Sequence, residues 1–160
     1  PALQGSRRMF LKLDGYISEV ENDWLPNQLG NAVVTDLLSN RDSDSEHYKK
    51  AVGYVRFVVA NKAMSKAIPF LNISKDFRLT HDISTLANEY ALERDRRDGL
   101  KVASDDAAAS NMEKLLGYMD SVASTTIFPD YFTSQLYAER QKRGNVGRFI
   151  NDPSKTYVVM

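Results

Sequence analysis

The chain has no cysteine, one tryptophan, two histidines and five prolines among its 160 residues. Without thiols it can build no disulfide framework, thiolate metal site or cysteine nucleophile. The histidines, His47 and His81, fall in different predicted elements and in neither HxxxH nor HExxH spacing. A metalloenzyme needs two or three converging ligands, so each reads as an ordinary surface or cap residue. No GxSxG elbow, Walker string or GxGxxG string occurs, which removes the usual signatures of a serine hydrolase or a nucleotide site. No run approaches the roughly 20 apolar residues of a membrane span. Neither sign of charge is in excess: 21 Lys and Arg face 21 Asp and Glu, and the pI is near 7.3. That is no footprint for a phosphate backbone, so no nucleic-acid partner is expected. No cofactor or metal is expected either.

What is present is 42% hydrophobic residues, in a chain long enough to bury roughly 69% of its surface on folding. Apolar residues recur at helical spacing. Phe10, Leu13, Ile17, Val20 and Trp24 step by three or four and share one face. Pro26 is expected to break or kink that helix, and Gln28 to Leu38 to form a second one or its continuation. The polar run 39–46 reads as a loop ending in an N-cap. A helix follows from about Ser45 to Ala67, with Val52, Val55, Val59 and Ala63 inward and Pro69 as its stop; Gly53 within it is expected at a close helix crossing. After a connector over 70–80, helix resumes near Asp82 with Ile83, Leu86, Ala87 and Tyr90 on one side. It runs into the alternating charges of 93–98, whose opposite signs suggest exposed intrahelical pairs. Gly99 is read as a break, and Ser104-Asp105-Asp106 as the cap of a last helix carrying Met112, Leu115, Leu116 and Met119.

Residues 1–124 are thus expected to form an all-α, antiparallel up-down four-helix bundle with a kinked N-terminal helix. Residues 125–160 are expected to be an irregular C-terminal extension with a short helix from about Asp130 to Arg143. Its aromatic residues, Phe128, Tyr131, Phe132, Tyr137 and Phe149, do not keep one face, and Gly144, Gly147 and Pro153 oppose regular structure. The extension therefore reads as a docking element outside the core; a strap folded back on the bundle is the alternative.

The neutral total conceals an uneven distribution. Residues 1–13 carry +3, residues 14–46 carry −7, residues 47–134 carry +1 and residues 135–160 carry +3. Both ends are basic, which can steer docking onto an acidic partner surface. The candidate docking residues are Arg7, Arg8 and Lys12 at one end and Arg140, Lys142, Arg143 and Arg148 at the other. The string Ser6 to Lys12 reads like a twin-arginine export consensus, but Asp14, Glu19, Glu21 and Asp23 stand where an apolar h-region belongs, so it is taken as a helix start. Asp42-Ser43-Asp44-Ser45-Glu46 superficially resembles a calcium loop. Begun at Asp42, that loop puts His47 where an EF-hand needs Gly and Gly53 where it needs Glu. Gly144-Asn145-Val146-Gly147 matches a GxxG loop of some nucleic-acid binders and is read as a flexible turn.

Tyr16 to Asp23 leading into Trp24-Leu25-Pro26, followed by Val33-Val34-Thr35-Asp36-Leu37-Leu38, resembles the PsbQ-type extrinsic proteins of photosystem II, above all forms from red algae and diatoms. The layout over about residues 6–124 is also similar to that of the diatom-specific extrinsic four-helix subunit. The resemblance implies a non-catalytic subunit on the lumenal side of the chloroplast thylakoid, peripheral on the membrane through protein contacts and monomeric on its own. Its partners would be the photosystem II core and other extrinsic subunits, and its role would be to help the oxygen-evolving centre retain calcium and chloride. Two other readings stay open: a helical adaptor or regulatory bundle unrelated to photosynthesis, and an enzyme using carboxylates and tyrosines.

Overall fold

A computed structural model describes the backbone of residues 2–71 and 94–150, with side chains for 11–71 and 95–143. All regular structure in these residues is helical, with no strand among them. Helix α1 spans Ala2–Glu19 and passes through a π turn, Val20–Trp24, into α2, Leu25–Leu29. Helix α3, Asn31–Ser39, leads by a polar loop into α4, Glu46–Ala67, which ends in a 3-10 turn at Ile68–Phe70. Helix α5 is Arg94–Val122, α6 is Pro129–Phe132 and α7 is Gln135–Ile150.

The first departure from the sequence expectation is at Pro26, where the helix does not break. In the π turn the Leu25 N–H reaches back five residues to the Val20 carbonyl. A proline in the turn that follows lacks only an N–H that need not be used there. The helix stops instead at Gly30, whose φ of +91° suits a residue without Cβ. Val20, Leu25 and Leu29 are buried on the far side of this turn, while Ile17 and Trp24 are half-buried against them.

Helix α4 is the central element. Its start follows the sequence signal: Ser45 has extended backbone, and its carbonyl accepts the Lys49 N–H at 3.0 Å. On one side α4 meets α1 in antiparallel sense, Tyr16 stacking near Phe70 and Glu19 pairing with Lys66. On the other it meets α5, also antiparallel, with His47 opposite Tyr118 and Lys62 opposite Asp105. Flanked twice, it buries Tyr48, Ala51, Val58, Val59, Ala63 and Ala67. Of the four residues expected inward, Val59 and Ala63 are buried, whereas Val52 and Val55 are half-exposed. A Cβ at Gly53 would meet no atom within 4 Å, so this glycine marks no close crossing.

Helix α5 corrects a second expectation, because it runs unbroken through Gly99 and through Ser104 to Asp106. Ala108, Met112, Leu115, Leu116 and Met119 form its buried stripe against α4. Phe10, Ile83, Leu86 and Tyr90, also expected in the core, and His81 lie outside the described side chains.

The largest correction follows Ser124. Ser124 turns the chain: its Oγ accepts the N–H groups of Thr126 and Ile127, and its own N–H bonds the Ile127 carbonyl at 2.8 Å. Phe128 then takes a left-handed conformation, φ +53°, rare for an aromatic residue, and is fully buried. Its ring meets Tyr48 edge-on at 4.7 Å between centroids. Tyr131 is also fully buried, in the same cluster as Val20, Val58 and Leu115. Helix α7 continues through Gly144 and Gly147. The short helix expected over about Asp130 to Arg143 corresponds to α6 and α7, which extend helix to Ile150, and two aromatics of a segment expected outside the core are among the largest fully buried side chains. Pro153 lies outside the described residues.

Candidate docking surfaces

The basic residues predicted for docking separate into different roles. Lys12 is exposed on α1, and Lys142 and Arg143 are exposed on α7. None of the three has a carboxylate within ion-pair distance among the described residues. Arg7 and Arg8 belong to α1 and Arg148 to α7, with side chains outside the described set. Because α1 packs on α4 while α7 packs on α5 and α6, the two basic clusters sit on different helices.

Arg140 behaves otherwise. Its side chain is 23% exposed and its Nε donates to Asp120 Oδ2 at 2.8 Å, with Nη1 3.3 Å from Glu113. Tyr131 donates its hydroxyl to the other Asp120 oxygen at 2.7 Å. Burial disfavours the guanidinium charge, yet the Asp120 hydrogen bond and charge hold the Arg140 pKa above its ordinary value. Burial, then Asp120, also pushes the Tyr131 phenol well above its usual range. This residue is a tie between α7 and α5, with little left to offer a partner.

Three further groupings were not legible in the spacing of the sequence. At the α4 N-terminus, Tyr48 donates to both oxygens of Asp36, at 3.0 and 2.9 Å, and Asn40 donates to Asp36 Oδ1 at 2.9 Å. Burial, followed by Asp36, pushes Tyr48 up to about 12, and burial raises Asp36 as well. Beside them His47 Nδ1 and the Tyr118 hydroxyl share a hydrogen bond of 2.8 Å, with Lys50 Nζ 4.4 Å from the Tyr118 ring centre.

At the α4 C-terminus a cleft of about 490 Å³ is bordered by Tyr16, Ser65, Phe70 and Lys101. Inside it Lys62 bonds Asp105 at 2.7 Å and Lys66 pairs with Glu19. Burial alone would raise Asp105, but hydrogen bonds from Lys62 and Ser65 prevail and hold its carboxyl below the usual range. Each lysine drawn into the cleft by its partner is thus neutralised there.

The third grouping is a half-open apolar groove of about 300 Å³ between α1, α2, α3 and α4. Val34 and Leu37 form one wall, Val52, Val55 and Val59 the other, and Ile17 and Leu25 the floor; Glu21, Arg41 and Arg56 stand at its edge. Val52 and Val55 are half-exposed because they line it.

Among the described residues no group of three or more His, Asp or Glu is placed to hold a metal ion. In the calcium-like run Asp42 pairs with Arg41 and Asp44 with Lys49. No helix among the described residues is long and apolar enough to cross a membrane. No protein-family profile, curated protein or solved structure matches the chain.

Proposed function

We propose that the chain is a non-catalytic helical docking subunit. The carrying observation is how the titratable groups are used. The most buried ones pair with one another, as Tyr48 with Asp36 and Tyr131 with Asp120 and Arg140, while Lys12, Lys142 and Arg143 face solvent without a carboxylate partner among the described residues. Catalytic sites gather perturbed groups in a cleft; here Tyr48, Asp36, Tyr131 and Arg140 tie helices together, and the perturbed Asp105 at the cleft is taken up by Lys62. Exposed Leu11 and Phe70, 65% and 76% accessible, add apolar contact area of the kind interfaces use.

In the form implied by the resemblance, the helices α1, α4, α5 and α7 make an up-down four-helix bundle. The chain is then a lumenal extrinsic subunit of photosystem II that supports calcium and chloride retention at the oxygen-evolving centre. Charge-led docking weakens as the screening length falls from about 8 Å at physiological salt to about 3 Å at 1 M. The test is a salt wash of oxygen-evolving thylakoid membranes: the chain should be released steeply with ionic strength, and oxygen evolution should then become dependent on added calcium and chloride. A helical adaptor of another complex would use the same exposed cations, and absence of the chain from thylakoid fractions would select that reading.

A further inference from the structure

We propose that the groove between α1, α2, α3 and α4 binds a single-chain anionic amphiphile, a free fatty acid of about twelve carbons. The groove has the polarity of such a molecule. Its interior is aliphatic, contributed by Val34, Leu37, Val52, Val55 and Val59, and its only charged groups stand at the edge. An apolar cavity of about 150 Å³ holds the six carbons of benzene, so about 300 Å³ holds roughly twice that chain length.

The edge selects the head group. Arg41 and Arg56 supply two guanidiniums, whose planar donor forks match a carboxylate. Arg56 has no carboxylate at ion-pair distance among the described residues. Arg41 holds only its sequence neighbour Asp42, at 3.2 Å, with side chains 64% and 83% exposed, a weak pairing that a bound carboxylate can replace. Glu21 opposes an anion, so the edge carries one net positive charge. A protein helix is the poorer fit, since a groove of about 300 Å³ is small for a helix's apolar face. The arrangement also gives the half-exposed Val52 and Val55 of α4 an apolar surrounding, since both line the groove.

Isothermal titration of the full chain with dodecanoate, below its micelle concentration, tests this. Saturable 1:1 binding is expected, and octanoate should bind about two hundredfold more weakly for want of four methylenes. Arg56→Gln and Arg41→Gln should each weaken dodecanoate about tenfold, and Glu21→Gln should tighten it. Dodecyltrimethylammonium should bind more weakly than dodecanoate. Val55→Trp, whose ring fills the groove, should abolish binding while circular dichroism and melting temperature stay near those of the parent. No saturable heat, insensitivity to the arginine and Val55 changes, or equal binding of the cationic amphiphile would overturn the proposal. So would preference for anionic lipid vesicles over monomeric dodecanoate. A photoreactive label at Val55→Cys is unique in this cysteine-free chain. Dodecanoate should protect it; capture of a second copy, or of the chain's own residues 72–93, in place of that protection would also overturn the assignment.

Discussion

The two ends of α4 are closed in different ways. At its N-terminus, Tyr48, Phe128 and Tyr131 fill the space with large rings, and the hydroxyls of Tyr48 and Tyr131 find Asp36 and Asp120. At its C-terminus the buried set is small, Ala67, Ile68 and Leu71, and exposed or half-exposed ion pairs, Lys62 to Asp105 and Lys66 to Glu19, flank it. A buried aromatic with a satisfied polar tip combines large area with fixed orientation, whereas a partly exposed ion pair adds little. Stability should therefore concentrate at the N-terminal end of α4, held there by a segment distant in sequence.

The sharpest way to break that contrast is Tyr131→Ala. Removing a fully buried aromatic costs about 3 to 5 kcal/mol, and at about 2 to 4 °C per kcal/mol in a domain of this size the melting temperature should fall by at least 6 °C. Truncation after Ser124 should cost no less. Differential scanning calorimetry checks both, and a truncated chain melting as high as the parent would return the tail to a docking role. Asp120→Ala comes next. It strands the Arg140 guanidinium and the Tyr131 hydroxyl at a site where Arg140 and Asp120 are 23% and 21% exposed, so about 2 kcal/mol should be lost; urea unfolding gives the value.

The same end should respond to alkali. Tyr48 has a folded pKa of about 12 against the ordinary 10.0. Between those values the folded chain keeps a proton that the unfolded chain has released, so stability is full below pH 10 and is lost as pH rises toward 12. Tyr131 and Tyr118 are shifted upward too. Unfolding free energies measured across pH 9 to 12 should flatten in Tyr48→Phe by that residue's share. At the other end Lys62→Met should cost less than about 1 kcal/mol. The Asp105 carboxyl lies below its ordinary 3.8, so its contribution is present above that value and disappears as pH falls through the lower one; the variant should therefore differ from the parent at pH 6 and converge with it in strong acid. The smallest effect on stability belongs to Lys12→Glu, Lys142→Glu and Arg143→Glu, each within about 0.5 kcal/mol. Their effect should appear as release from the partner at lower salt, measured by sedimentation with membranes.

What the sequence made legible was local. Ser45 and Pro69 bracket α4 because caps and prolines act through their own backbone, and the stripe from Met112 to Met119 reveals its face because helical period and burial coincide there. What it hid depended on distant partners. Gly99 reads as a break, yet a helix tolerates one glycine at about 1 kcal/mol when packing along α4 sustains it. Phe128 and Tyr131 look scattered because they are not spaced on one helix: Phe128 caps α6 in a left-handed conformation, and both are placed by the Ser124 turn. Arg140 looks free of acids until α7 sets it beside Asp120, twenty positions earlier. The groove escaped notice for a related reason. Its lining comes from four helices, and Val52 and Val55 follow the same apolar rhythm whether they meet a neighbour or open space.

The π turn at Val20–Trp24 bears on how this chain tolerates changes of length. A π turn holds about one residue more than an α turn over the same rise. Losing one of the exposed residues Glu21, Asn22 or Asp23 would tighten it to ordinary helix, with Leu25 and Leu29 still facing the buried side, whereas the same deletion inside α5 would turn every later side chain by about 100°. The first helix thus carries a spare residue, and the chain can be shortened there without shifting the frame of its core.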